Sequence, residues 1–312
     1  MYYPYFRGKQ FELIAIRESA QVLARSDFCP IIEPVKETLK GLDKTLAEIC
    51  AANGKAVVIV NPVHGDHSED GRDITDLLAS SYLDEPAVSA GILLRDNMTP
   101  AHALELYRTH LPHQPMFIHA GFTEAGDLAK QLGGELSKTR HAFFEAQCGK
   151  LYRRHYGTCF RVLLRDGFHK RKNADHPSLE DFSDLHITYT DEGMSGFGDF
   201  LMVGDDFAEG GGPAYAVAIH LTFIDPNKDS AMYIYHFVSI TRDTPTDPAG
   251  KFSQALDKLV QKYDGGNSNL YNTSAIQELK ELHKKGHFPG LGVVKKLSMK
   301  HHIETLSSFL VP

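Results

Sequence analysis

The fold is decided by residues 90–120, AGILLRDNMTPAHALELYRTHLPHQPMFIHA. Two short apolar runs, 90–94 and 116–119, flank an amphipathic helical pattern. That pattern begins at Thr99-Pro100, where Thr is a favoured N-cap and Pro is a favoured first residue of a helix. Two strands joined by a helical crossover form a parallel pair. The stretch therefore predicts one strand–helix–strand unit of a parallel sheet.

The same alternation extends in both directions along the first half of the chain. Short apolar runs predict strands at residues 2–6, 30–35, 56–60, 90–94, 116–119 and 142–145. Helical patterns lie near residues 10–25, 38–52, 99–110 and 123–132. Six such units exceed what either half of a doubly wound sheet requires. We therefore expect an α/β fold of the (β/α) TIM-barrel type.

The second half of the chain, residues 149–312, is less regular than residues 1–148, but we assign both halves to one domain. Further strands are predicted at residues 160–164, 200–203, 215–223 and 232–240, the last two forming a hairpin. Two amphipathic helices, one beginning at Asp247-Pro248 and one at the C-terminus, are expected to dock on the barrel. The glycine-rich segment 193–198 is interpreted as a turn.

Composition restricts the class of protein. In the 312 residues, the hydrophobic fraction of 42% and the charged fraction of 23% are typical of a soluble globular protein. The net charge of −7 disfavours nucleic-acid binding over the whole surface. The four cysteines lack paired spacing, which predicts reduced thiols, and no apolar run reaches the length of a membrane span. We expect a cytoplasmic protein with no membrane contact.

Polar residues that follow the predicted strands form the candidate site, because ligands of parallel α/β folds bind at the carboxyl ends of strands. The candidates for acid/base catalysis are Glu33, His119, Glu145 and Asp205. The candidates for substrate binding are Arg7, Lys9, Lys36, Asn61, Arg95 and Arg165. A mouth that carries both cations and carboxylates suits a hydrolase or transferase of a phosphorylated or nucleotide-like substrate. The sequence does not identify a cofactor.

Two groups of histidines were weighed as metal ligands. His64-Gly-Asp66-His67 partly matches the His-x-His-x-Asp-His motif of metallo-β-lactamases, but Pro62 occupies the place of the first histidine. We therefore favour a polar loop there and assign no metal site. His220 and His236 lie on the two predicted hairpin strands. If the residue numbers of paired positions sum to an even number, the two side chains project from the same face. They can then share a ligand, a metal or a proton, or form a structural pair.

Charge is segregated in the second half of the chain. Residues 150–172 carry eight Lys and Arg side chains, and the next cation is Lys228. The stretch between them contains many Asp and Glu residues. Such segregation indicates either a basic and an acidic wall that the fold brings together, or a surface for a partner. The alternative function is therefore a non-catalytic binding subunit that recognises a partner protein or nucleic acid through residues 150–172.

Several long strings of the sequence resemble a bacterial family grouped with the phage Beta protein. They are YYPYFRGKQFELIAIRE at 2–18, IIEPVK at 31–36, FRVLLRDGF at 160–168, GFGDFLMVGDD at 196–206, GGPAYAVAIHLTF at 211–223 and KKLSMKHHIE at 295–304. The resemblance implies an intracellular bacterial or phage-related protein, encoded among mobile or defence genes beside a partner protein. The family has no catalytic assignment that transfers to these residues.

Overall fold

The computed structural model describes residues 1–210 and 212–311, and these residues form eleven strands. The strands are β1 (Tyr5–Phe6), β2 (Ile31–Ile32), β3 (Ala56–Ile59), β4 (Val88–Leu94), β5 (Met116–His119), β6 (Arg140–Phe144), β7 (Phe160–Leu164), β8 (Leu179–Ser183), β9 (Gly196–Gly198), β10 (Ala218–Ile224) and β11 (Met232–Val238). Eight of them, β1 to β7 and then β9, form one parallel sheet in that order. The sheet curves into a barrel, which confirms the predicted α/β barrel fold.

The barrel is closed by main-chain contacts between its first and last strands. Tyr2 pairs with Phe197 in a parallel bridge, and the Tyr3 amide donates to the Phe197 carbonyl at 2.8 Å. One step further along, the Tyr5 amide donates to the carbonyl of Asp199 at 2.9 Å. These bonds bring the residues that follow β1 next to the residues that follow β9.

Helices alternate with the barrel strands and also cover the second sheet. They are α1 (Gln10–Glu18), α2 (Ala20–Arg25), α3 (Lys40–Ala51), α4 (Arg72–Ser81), α5 (Pro100–Thr109), α6 (Ala125–Leu132), α7 (Lys150–Arg153), α8 (Leu185–Thr188), α9 (Pro248–Asp264), α10 (Ser274–Lys285) and α11 (Leu291–Leu310). Among residues 1–210 and 212–311, no helix combines the length and the apolar character that crossing a membrane requires.

Alternate residues of each barrel strand face opposite sides, as the pleat of a strand requires. In β5, Met116 and Ile118 belong to the apolar cluster that fills the barrel. Phe117 belongs to the larger cluster between the barrel and the helices. We say that a position has inward parity if it lies an even number of residues from an inward-facing residue of its strand. A side chain at the end of a strand reaches the barrel mouth only from a position with inward parity.

The second sheet is antiparallel and has the order β10, β11, β8. β10 and β11 form the predicted hairpin, in which His220 is directly opposite His236. The chain leaves the barrel after β7 to form β8 and returns to it at β9. Helix α11 packs against α1, α10 and β10, and so joins this sheet to the barrel.

The prediction at the last barrel strand was wrong. Gly196–Gly198 is the strand β9, although segment 193–198 was interpreted as a turn, and residues 200–203 form a turn instead of the predicted strand. Glycine has a low strand propensity, which is why the segment was misassigned. A Cβ atom at Gly198 would meet the carbonyl oxygen of Tyr3 and lie 2.5 Å from Leu164 Cδ2. Only glycine lets the strands approach closely enough to close the barrel. The analysis of the sequence also missed β8, α4 and α10.

We expect Gly198→Ala to lower the free energy of unfolding by about 3 kcal/mol, because the added methyl group must displace backbone at the closure. Gly134→Ala is the matched control, since nothing lies within 4 Å of a Cβ built at Gly134. Urea unfolding followed by circular dichroism measures both variants. Equal stability of the two variants would contradict this account of barrel closure.

Candidate active site

A buried ion pair lies at the carboxyl end of the barrel. Arg7 follows β1 and Glu33 follows β2, and the two side chains are 4% and 0% exposed. Arg7 Nη1 donates to Glu33 Oε2 at 2.9 Å, and the Tyr5 hydroxyl donates to the same oxygen at 2.9 Å. Arg7 Nη2 also lies 2.9 Å from Asp205 Oδ1. The fold thus brings together three of the predicted site residues, Arg7, Glu33 and Asp205.

The second carboxylate oxygen of Glu33 contacts His64. Glu33 Oε1 accepts from the Val63 amide at 3.1 Å and lies 2.9 Å from His64 Nδ1. Burial raises the pKa of Glu33, but the His64 hydrogen bond and the charge of Arg7 lower it further, so the net pKa is below the ordinary value. An ionised carboxylate can only accept, and His64 Nδ1 must therefore carry the proton.

This arrangement leaves the second ring nitrogen of His64 available. His64 is 28% exposed, and within residues 1–210 and 212–311 its Nε2 atom makes no hydrogen bond. The ring packs against Phe207, with 4.6 Å between the centroids and 35° between the ring planes. A carboxylate on Nδ1 and a free Nε2 lone pair are the geometry of a general base.

A cavity of about 410 Å³ lies between the loops that follow β3 and β4, and neither Glu33 nor His64 lines it. Arg95 lines it, and within the described part of the chain the Arg95 side chain has no ion pair or hydrogen bond. Val63 also lines the cavity, and its amide binds Glu33. Asn61 has a structural role, because its side-chain amide donates to the Leu93 carbonyl at 2.9 Å and accepts from the Leu93 amide at 2.8 Å.

Arg165 and Glu145 pair with each other at the ends of β7 and β6. Arg165 Nε donates to Glu145 Oε2 at 2.5 Å and Nη2 donates to Oε1 at 3.0 Å. Arg165 Nη1 also donates to Asp184 Oδ1 at 2.6 Å. Two carboxylates thus neutralise the guanidinium, which leaves it little capacity to hold an anionic substrate.

The two predicted lysines lie at the edge of the site. Lys9 Nζ donates to the carbonyl of Ala208 and lies 4.7 Å from the ring centroid of Phe207. Lys36 is exposed and lines a separate cavity of about 350 Å³, whose other lining residues come from β2, α1, α3 and the loops after β1 and β2. Neither lysine lines the cavity that contains Arg95.

His119 is not part of the mouth. It is fully buried, with Nδ1 2.6 Å from the Tyr152 hydroxyl and Nε2 2.9 Å from His141 Nδ1. Its position in β5 has the outward parity, so the side chain lies between the barrel and the helices rather than at the strand end. Burial and the neighbouring His141 hold the pKa of His119 well below its ordinary value. His119 therefore cannot contact a substrate bound at the mouth.

The loop that contains His64 does not gather its polar side chains at one point. Asp66 Oδ2 accepts from the Glu37 amide at 2.7 Å, and His67 Nε2 lies 3.1 Å from the Lys36 carbonyl. His64 instead contacts Glu33. The three side chains therefore fasten the loop to the segment after β2, which agrees with the polar-loop hypothesis.

The basic segment 150–172 is largely paired with acidic residues of the same chain. Five of its eight cations form ion pairs with the acidic stretch: Lys150 with Glu192 at 3.4 Å, Arg153 with Glu192 at 3.1 Å, Arg165 with Asp184 at 2.6 Å, Lys170 with Asp206 at 3.6 Å and Arg171 with Glu180 at 2.9 Å. The charge boundary in the sequence thus corresponds to two walls that meet in the fold.

Comparison with protein-family models and with curated proteins gives no match for this chain. The assignment of function must therefore be argued from the geometry of the site.

Sequence reasoning selected Glu33 but considered His64 only as a metal ligand. A signal was available, since His64 comes shortly after β3, and β3 lies next to the strand that precedes Glu33. The candidate chosen after β3 is Asn61, the first polar residue beyond the strand. His64 lies only three residues further along the same loop.

We expect Glu33→Gln to lower the free energy of unfolding by about 3–5 kcal/mol, because the change leaves the buried Arg7 charge without its main partner. The pKa of Glu33 is depressed in the folded state, so its contribution is complete above the ordinary carboxyl pKa of 4.5 and is lost as the pH falls through the lower folded value. The difference in the free energy of unfolding between wild type and Glu33→Gln should therefore become smaller as the pH falls below 4.5.

Asp70→Asn is the control, since it breaks an exposed pair with Arg72 and should leave stability nearly unchanged. Denaturant unfolding at several pH values gives the comparison. If Glu33→Gln were as stable as Asp70→Asn at neutral pH, the buried pair would not hold the mouth together.

Proposed function

We propose that this protein is a hydrolase or transferase of a phosphorylated or nucleotide-like substrate, with His64 as its general base. One observation carries the proposal: the buried Glu33 carboxylate holds His64 Nδ1 at 2.9 Å while Nε2 stays free at the barrel mouth. Glu33 acts through His64, so it is a positioning residue. Its ionised carboxylate also stabilises the imidazolium that forms when Nε2 takes a proton.

The reaction that fits this pair is attack by water or a hydroxyl group on phosphorus. His64 Nε2 removes the proton of the nucleophile as the new O–P bond forms and the bond to the leaving group breaks. The leaving oxygen then takes that proton from the imidazolium, which restores the neutral ring. Arg7 keeps Glu33 ionised throughout, because its guanidinium is fixed against the carboxylate.

The anionic part of the substrate is assigned to the adjacent cavity. Arg7 and Arg165, which the sequence suggested for this role, are each paired with two carboxylates. Arg95 lines the cavity of about 410 Å³, which reaches the pair only through Val63, the residue whose amide binds Glu33. A guanidinium without a carboxylate partner can form two parallel hydrogen bonds with a phosphoryl group. The volume of about 410 Å³ suits a small molecule.

The alternative, a binding subunit that uses residues 150–172, has less support because five of the eight cations of that segment form ion pairs within the chain. The resemblance to the Beta-protein family stays a prediction, and it favours neither function. The proposal therefore depends on the chemistry of the mouth alone.

A panel of phosphomonoesters, phosphodiesters and nucleoside triphosphates tests the proposal. We expect His64→Gln to lower kcat by about 10²–10⁴-fold, since general-base catalysis contributes on that order. Arg95→Ala should raise KM about 10-fold to 100-fold, as expected for loss of a charge-assisted hydrogen bond. Lys172→Ala is the control, because Lys172 is an exposed cation of the basic segment and lines neither the cavity of Arg95 nor that of Lys36.

The variants separate the two functions. An enzyme loses turnover in His64→Gln and keeps it in Lys172→Ala. Absence of turnover by the wild type across the panel, or full turnover by His64→Gln, would overturn the proposal. Circular dichroism of each variant establishes that a loss of activity does not reflect unfolding.

A further inference from the structure

Three histidines meet beside the second sheet, well away in sequence from Glu33 and His64. His176 precedes β8, while His220 and His236 are cross-strand neighbours in β10 and β11. One ring nitrogen from each of the three lies within 4.8 Å of the others. The closest approach joins His220 Nδ1 to His236 Nδ1, at 2.6 Å.

One ring nitrogen of this cluster, His176 Nδ1, is buried without a hydrogen bond among the described residues, and it lies 3.8 Å from Glu180 Oε1. The side chains of His176 and His236 are 1% and 0% exposed. Buried polar atoms in native proteins are nearly always satisfied, because leaving one unpaired costs free energy. His176 Nδ1 therefore lacks a ligand that would satisfy it.

Metals bind the neutral form of histidine, which carries one lone pair on its ring. Burial lowers the pKa values of His176, His220 and His236, and so favours that form. Two lone pairs that face each other repel unless a proton or a cation lies between them.

A carboxylate supports one of the rings from outside. Glu180 Oε1 lies 2.8 Å from His236 Nε2, on the side of the ring opposite to the nitrogen that faces His220. Histidines that ligate metals usually place their other nitrogen against a carboxylate or a carbonyl, which fixes the tautomer. Arg171 in turn pairs with Glu180 at 2.9 Å.

We propose that His176, His220 and His236 bind one first-row divalent metal ion, with zinc as the first candidate and Glu180 orienting His236. Three imidazoles are a ligand set that zinc accepts in four-coordinate sites. Tetrahedral ligands at about 2.05 Å from zinc lie about 3.3 Å apart, so the nitrogens of His220 and His236 must separate by about 0.7 Å. Side-chain rotation is sufficient for such a change.

The surroundings provide access on one side and an apolar wall on the other. A cavity of about 540 Å³ reaches His176 and His236, and it gives an ion an entry path. The ring of Phe168 lies 5.5 Å from His176 and 5.2 Å from His220. Phe168 belongs to the loop after β7, so a bound ion would fasten the second sheet near the point where the chain leaves the barrel.

A second pair of buried histidines shows what a purely structural contact looks like in the same protein. His119 and His141 also approach closely, at 2.9 Å. Their outer nitrogens contact the hydroxyl groups of Tyr152 and Thr139, both at 2.6 Å. That pair is satisfied by protein atoms, in contrast to the cluster of three.

The test uses the full chain with no affinity tag, so that added histidines do not contribute. After dialysis against a chelator, the protein is titrated with Zn²⁺ by calorimetry, and bound metal is measured by mass spectrometry. We expect one equivalent of zinc and a rise in Tm on binding. His220→Ala should abolish stoichiometric binding, and Glu180→Gln should weaken it about 10-fold to 100-fold.

His141→Gln is the matched control and should bind zinc as the wild type does. A wild-type protein that takes up no stoichiometric zinc overturns the proposal, and so does undiminished binding by His220→Ala. If His220→Ala fails to fold, the wild-type titration and Glu180→Gln still decide the matter. The site shares no residue with the Glu33–His64 pair, so its test is independent of the proposed reaction.

Discussion

The close approach of β1 and β9 is the contact on which the candidate site depends. Gly198 has no Cβ, so its strand can lie directly against the backbone of Tyr3 and close the barrel. The chain that follows β9 then crosses the mouth. It places Asp205 on Arg7 and Phe207 on His64. Without this closure, the buried Arg7 would lose one of its carboxylates and His64 would lose its packing partner.

The same corner of the barrel also holds the C-terminal helix. Asp199 follows β9 and accepts from the Tyr2 hydroxyl at 2.7 Å, and its other oxygen lies 3.0 Å from His302 Nε2. His302 Nδ1 contacts the Thr222 hydroxyl of β10 at 2.8 Å. A single buried carboxylate thus links the N-terminal strand, α11 and the second sheet. Such a network stabilises the fold only when all its members are present.

Electrostatics separates the roles of the cations. Arg7 and Arg165 lie where the strand-end argument placed them, but carboxylates from later segments neutralise both. A buried charge needs a partner because its desolvation is costly, so the buried Arg7 serves the architecture of the mouth. Arg165 is 27% exposed and links Glu145 to Asp184. Arg95 lines an accessible cavity and keeps its capacity for an anion. The acidic stretch after residue 172 likewise supplies ion-pair partners for the basic segment before it.

The sequence by itself determined the barrel, because the alternation of apolar runs and amphipathic helices is a local property of the chain. It also identified Glu33 and the cross-strand pair of His220 and His236, which follow from strand ends and hairpin parity. Only the tertiary structure decided that His64 contacts Glu33 and that His176 joins the histidine pair. Those contacts join residues from separate loops, and no local pattern encodes which loops meet. The glycine strand at residues 196–198 was likewise hidden, because its conformation is imposed by neighbouring backbone rather than by its own propensity.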